Sequence, residues 1–130
     1  MSTGNTASQV TSRGQQRALP EIADDEFRAG LSKAKTYTAI LLRQGPRWAT
    51  PERETIIWAH GRRNYALRAA GVLPIVCPAL DDSTWCGLGI FDASEEETAR
   101  IMDGDPAVQA GVLEYELHPI RTFPGDQLPE

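Results

Sequence analysis

Residues 72–92 read VLPIVCPALDDSTWCGLGIFD, and the way this stretch divides decides the fold. Two apolar runs, Val72–Leu80 and Trp85–Asp92, flank Asp81-Asp82-Ser83-Thr84, a cluster of turn-forming residues. The pattern predicts two antiparallel strands joined by a short hairpin loop. Pro74 and Pro78 have no amide hydrogen to give a ladder, so the first of these strands belongs at an edge or follows an irregular course. Gly87 and Gly89 share one face of the second strand, where missing side chains let another backbone or a ligand come close.

Working outward, each side of the hairpin meets a helix and then a strand. Upstream, Thr50-Pro51-Glu52 offers an N-cap residue, a proline at the first helical position and a first-turn acid, which predicts a helix from Pro51 to about Ala70. Gly71 is its stop. Before it, Tyr37–Arg43 (YTAILLR) is a compact apolar run closed by Gln44-Gly45-Pro46, a strand followed by a turn. Downstream, Ser94-Glu95-Glu96-Glu97 has the S-x-x-E capping box and predicts a second helix to about Met102, ended by Gly104. Asp105-Pro106 reads as an N-cap with a first-turn proline, starting a short helix over 107–111. Val112–Ile120 then alternates, with Leu113, Tyr115 and Leu117 on one side and Glu114, Glu116 and His118 on the other. The order β-α-β-β-α-β predicts an α+β fold of the ferredoxin-like plan, a four-stranded antiparallel sheet with two main helices on one face. The second face is either solvated or paired with a second copy of the chain.

The ends differ from this centre. Residues 1–20 are rich in Ser, Thr, Gly and Gln with little to bury, and are expected to be a disordered tail. Residues 21–34 carry Ile22, Phe27 and Leu31 at helical intervals, with acids early and lysines late, and predict a short helix. Residues 123–130, with Pro124, Gly125 and Pro129, are expected to be extended. The folded domain is therefore expected over 35–122. Of 130 residues, 41% are hydrophobic, enough for one modest core. The formal net charge of −5 provides no broad positive field for nucleic acid, and no run approaches the roughly 20 apolar residues of a membrane span. Neither a nucleic-acid nor a membrane partner is expected. The opening residues lack the apolar run of a secretory signal, which makes the cytoplasm the expected location.

Few residues carry chemistry. His60 shares the expected buried stripe with Ile56, Leu67 and Ala70, so it is either a satisfied core histidine or a general base, since imidazole titrates near neutrality. Cys77 and Cys86 lack metal-knuckle spacing and read as reduced residues, with a disulfide across the hairpin as the oxidised alternative. Glu114, Glu116 and His118 at alternate strand positions suit either a polar network or, less readily, a divalent ion. Trp58 is a candidate wall for an aromatic ligand, although two positions from His60 it does not share that helix face. No phosphate loop, nucleophile motif or cofactor fingerprint is present, so no cofactor and no metal are expected.

Taken together, HGRRNYALRAAGVLPIVCPAL (60–80), CGLGIFDAS (86–94) and EEETARIMDGDPAVQAGVLEYELHPI (95–120), in this order, resemble the YCII-related (YciI-like) proteins over about residues 36–121. The resemblance implies a homodimer, the dimeric α+β barrel, with a small pocket holding a histidine and an aspartate, which fall on His60 and Asp105. It implies a small-molecule enzyme, a lyase or isomerase related to a dehydrochlorinase of a chlorinated hydroxyquinol and to muconolactone isomerases, with a His60/Asp105 dyad transferring a proton. Two positions depart from the family pattern: Ile57 stands where an arginine is common, and Cys77 replaces the glycine before the strand proline. Arg43, Arg63 or Arg62 is then needed to meet an anionic substrate. Arg43, Trp58, Arg63 and Cys77 are accordingly the expected substrate-binding residues. The alternative on the same barrel is a non-catalytic module binding a small ligand or another protein.

Overall fold

The computed structural model describes residues 17–130. The expected disordered tail lies outside the described residues as far as residue 16, and residues 17–20 are exposed without regular structure. The described chain falls into two units that divide between Lys33 and Ala34. In the first, α1 (Asp24–Leu31) has Asp24, Asp25 and Glu26 in its first turn, where the positive end of the helix dipole favours acids. No residue of α1 is buried, and the Arg28–Asp25 pair across one turn is solvent-exposed.

The second unit holds β1 (Lys35–Gln44), α2 (Arg53–Ala69), β2 (Ile75–Pro78), β3 (Trp85–Phe91), α3 (Glu95–Asp103), α4 (Pro106–Gln109) and β4 (Leu113–Thr122). The strands form one antiparallel sheet in the order β2-β3-β1-β4, which fits the ferredoxin-like plan. β1 lies inside the sheet, pairing Ile40 with Gly89 on β3 and with Leu117 on β4. The period-two rule then sorts the faces. Thr38, Ile40 and Leu42 are buried, together with their β3 partners Phe91, Gly89 and Gly87. With Leu73, Met102, Ala107, Val112 and Leu113 from the rest of the unit, Ile40, Leu42 and Phe91 make the core. Tyr37, Ala39 and Leu41 occupy the opposite face and are only half-buried.

The helix ends show how local chemistry sets the elements. Ser94 caps α3 as expected, its hydroxyl accepting from the Glu97 amide at 3.1 Å. Helix α2 closes in a Schellman motif: Gly71 adopts φ +80°, its amide bonds to the Arg68 carbonyl and the Val72 amide to that of Leu67. The same arrangement ends α4 at Gly111, φ +75°, turning the chain into β4.

Two boundaries and one buried stripe differ from the sequence expectation. Helix α2 begins at Arg53 rather than Pro51, because the Thr50 hydroxyl bonds to the Glu52 carboxylate and the Arg53 amide to the Thr50 carbonyl, making a tight turn ahead of the helix. β2 is confined to four residues at the sheet edge. The amides of Val72 and Leu73 are committed to the Leu67 carbonyl at the end of α2, and Pro74 has none to offer. On α2, Ile56 and Leu67 are half-buried and Ala70 is exposed, whereas the two buried residues, His60 and Asn64, are polar.

Candidate functional site

Buried polar groups need partners, and the burial of His60 is explained by where α4 starts. Gly104 ends α3, and Asp105 takes an extended conformation as the N-cap of α4. Its Oδ2 accepts from the Ala107 amide at 2.9 Å and the Val108 amide at 3.2 Å, so the capping role read from Asp-Pro is realised. The same carboxylate, fully buried, lies 2.9 Å from His60 Nδ1 through each oxygen. Capping and histidine orientation therefore coexist on one side chain. Behind it, Arg63 Nη1 stands 3.7 Å from Asp105 Oδ1, while Arg63 Nη2 donates to the Ile101 carbonyl at 2.7 Å.

The electrostatics follow from these contacts. Burial pushes the Asp105 carboxyl up, but the hydrogen bond and charge of His60 and the Val108 and Ala107 amides outweigh it, holding the group below its ordinary value. An ionised Asp105 accepts the Nδ1–H of His60 and assigns the tautomer, leaving Nε2 with the free lone pair. Nε2 lies 3.2 Å from Asn64 Nδ2, one helical turn along α2.

His60 and Asn64 line a cavity of about 810 Å³. Its walls are largely apolar, with Ile40, Leu42, Leu73 and Phe91 among them, and exposed Asp81–Ser83 of the hairpin loop complete the lining. An added Cβ at Gly89 would stand 2.9 Å from Leu73 Cδ1 and 3.3 Å from Ile40 Cγ2, so the glycine here admits close packing around the cavity floor. Cys77 lines the cavity, as does Cys86, whose thiol is pushed up by burial. Both are free cysteines.

The remaining expected binding residues are elsewhere. Arg43 follows the buried Leu42, so its side chain projects from the other face of β1 and pairs with Glu116; it does not line the cavity. Trp58 is 71% exposed and lines an adjoining groove with Arg62 and Ala66, not the cavity itself. Arg63 is turned to Asp105 and Ile101 instead of the cavity. Arg68 does line it, as does Ile57, the apolar residue at the position where the resemblance leads one to expect arginine. Glu116 is shared between Arg43 and His118, and among the described residues no group of three or more His, Cys, Asp or Glu side chains is placed to hold a metal.

Sequence reasoning did not single out Asn64. The signal was present, because Asn64 stands at i+4 from His60 and shares its stripe.

No family model matches the chain, and a search of curated proteins likewise finds no match.

What the arrangement can do chemically is limited and clear. The imidazole of a cavity-lining histidine whose Nδ1 is held by a buried carboxylate can exchange a proton at Nε2, with Asp105 stabilising the imidazolium form.

Proposed function

We propose that this protein is a YciI-like small-molecule enzyme, a lyase or isomerase in which His60 and Asp105 act as a proton-transfer dyad. The observation that carries this reading is the buried Asp105, fixed by two backbone amides and 2.9 Å from Nδ1 of His60, which itself lines an 810 Å³ cavity. His60 Nε2 takes a proton from a carbon acid and the C–H electron pair moves into the substrate. In isomerisation the imidazolium returns the proton to another carbon; in elimination a leaving group departs with the electron pair of its bond, and the imidazolium gives its proton to that group or to water. Asp105 keeps Nδ1 protonated throughout and stabilises the charge.

In this proposal the protein is a cytoplasmic homodimer, a dimeric α+β barrel with α2 and α3 on the core face of the sheet. The half-buried side chains of Tyr37, Leu41, Leu88 and Ile90 on the opposite face support a second copy there. Light scattering at high protein concentration is expected to report a dimer, and a persistent monomer contradicts it.

Incorporation of solvent deuterium into a panel of small cyclic carbonyl compounds tests the chemistry before any product is identified. The native protein should exchange at least one panel member, and His60→Gln should slow this by about 10²–10⁴-fold. Equal exchange by His60→Gln rules out the base assignment. The second reading, a non-catalytic module for a small ligand, is favoured by one observation: Asn64 Nδ2 already covers the free nitrogen of His60. A panel member that binds the native protein and His60→Gln equally and exchanges with neither would favour the module.

A further inference from the structure

Asn64 is 7% exposed, and its Oδ1 is buried without a hydrogen-bond partner among the described residues. Its Nδ2 is 3.2 Å from His60 Nε2, and the side chain lines the cavity. A mid-helix asparagine has poor helix propensity, and an unpaired buried oxygen is costly, so two penalties meet at one residue.

Proton bookkeeping on His60 explains why an amide stands there. Nδ1 donates to Asp105 whether the ring is neutral or charged. Only Nε2 changes polarity: it accepts a hydrogen bond in the neutral ring and donates one in the imidazolium. A cationic partner at position 64 would oppose protonation, and a carboxylate would hold the proton. A carboxamide carries a donor and an acceptor on one carbon and serves both states by a half-turn of its terminal torsion.

We propose that Asn64 is a positioning residue that turns over with the protonation of His60, its Nδ2 donating to neutral Nε2 and its Oδ1 accepting from Nε2–H once the proton has arrived. The orphaned Oδ1 of the resting state is thereby the acceptor held ready for the charged state. This deepens the reading of His60 as the base and rests on it: Asn64 covers the lone pair at rest without competing for the proton. The other groups facing His60 do not change sides in this exchange. Asp105 and, behind it, Arg63 lie on the Nδ1 side, while Arg68, Tyr65, Asp81, Asp82 and the thiols of Cys77 and Cys86 line the cavity. The sheet residues Ile40, Leu42 and Phe91 bring no charge.

The experiment is NMR on the full-length ¹⁵N-labelled protein without ligand. Above the titration of His60, a through-hydrogen-bond coupling between His60 Nε2 and Asn64 Nδ2 is expected. Below it, that coupling should vanish and an Nε2–H proton protected from solvent should appear. Asn64→Asp, fixed as an acceptor, should raise the His60 midpoint by about one pH unit, a tenfold change in proton affinity. Absence of the coupling at high pH, its persistence at low pH, or an Asn64→Asp midpoint equal to that of the native protein each overturns the proposal. The native spectra alone decide it if the variant does not fold. The deuterium-exchange test of His60→Gln is separate: its failure removes the base assignment and leaves the amide coupling to be read independently.

Discussion

His60 and His118 each sit beside a carboxylate, and the two pairs differ in nearly everything except that. His118 Nε2 is 2.7 Å from Glu116 on the half-buried face of the sheet, with 53% and 39% of the two side chains exposed. His60 Nδ1 is 2.9 Å from Asp105, with 10% and 0% exposed. The shorter contact is the weaker one on physical grounds. Water competes for both ends of the outer pair, and Glu116 is shared with Arg43. The inner carboxylate is held by two backbone amides as well as by the histidine, and both partners are buried. Burial and backbone fixation separate the two pairs; distance does not.

The largest expected effect follows directly. Asp105→Ala removes the cap of α4 and leaves His60 Nδ1–H and the two amides without their acceptor, which should lower the unfolding free energy by about 3–5 kcal/mol. Glu116→Ala should cost less than about 1 kcal/mol. Urea denaturation of both variants measures the contrast, and equal losses would break it.

Acidification should separate the pairs next. The folded-state pKa of Asp105 is depressed, so its ionisation stabilises the fold fully above its unfolded value of about 3.9, and this contribution is lost as pH falls through the lower folded value. The native protein should therefore lose stability below about pH 4 more steeply than Asp105→Asn does. A series of denaturant melts across that range tests it. If Asp105→Asn follows the native curve, the carboxylate is not held in its charged form.

Between the extremes lies Tyr115, half-buried on β4, whose hydroxyl donates to Asp103 at 2.7 Å. Burial, then the hydrogen bond and charge of Asp103, push its phenol up to about 12. A raised pKa places the stabilisation below the unfolded value near 10, and it is lost as pH rises toward 12. Tyr115→Phe should cost about 1 kcal/mol at neutral pH and flatten the alkaline limb. An unchanged alkaline limb would place this pair with His118 rather than with His60.

The same contrast explains what could be read from residues alone. Ser94, the Asp105 cap, Gly71 and the alternation of β4 are local devices, and a local device is legible because its partners lie within a few positions. The position of Arg43 is not local. It depends on which face of β1 meets the core, and the alternation of Leu42 and Arg43 fixes that only once the core side is known. Arg63 is a candidate for the substrate by sequence, yet three positions from His60 it is close enough to reach the same carboxylate, and the Ile101 carbonyl claims its other nitrogen. Trp58 sits on a helix face that the spacing already separated from His60. The meeting of His60 with Asp105 spans 45 residues, and no spacing rule reaches that far; it entered through the family resemblance. Asn64 is legible by the same i+4 spacing that sets His60 on the buried stripe.

The smallest effect probes the outer pair and, with it, the open face of the sheet. A double-mutant cycle of Arg43→Ala and Glu116→Ala should give a coupling of about 0.2–1 kcal/mol in the isolated chain, since both side chains are half-exposed. At 1 M salt, where the screening length is about 3 Å, the coupling should fall toward zero. A second copy packed on this face changes the arithmetic, because the pair then loses its water and its screening ions together. The coupling would exceed 1 kcal/mol, resist salt and grow with protein concentration. The comparison then sharpens into a test of assembly: His60 and Asp105 are enclosed by their own chain, whereas Glu116, Arg43 and His118 would acquire the same enclosure only from a partner. A weak, salt-sensitive coupling at every concentration would leave that face to solvent.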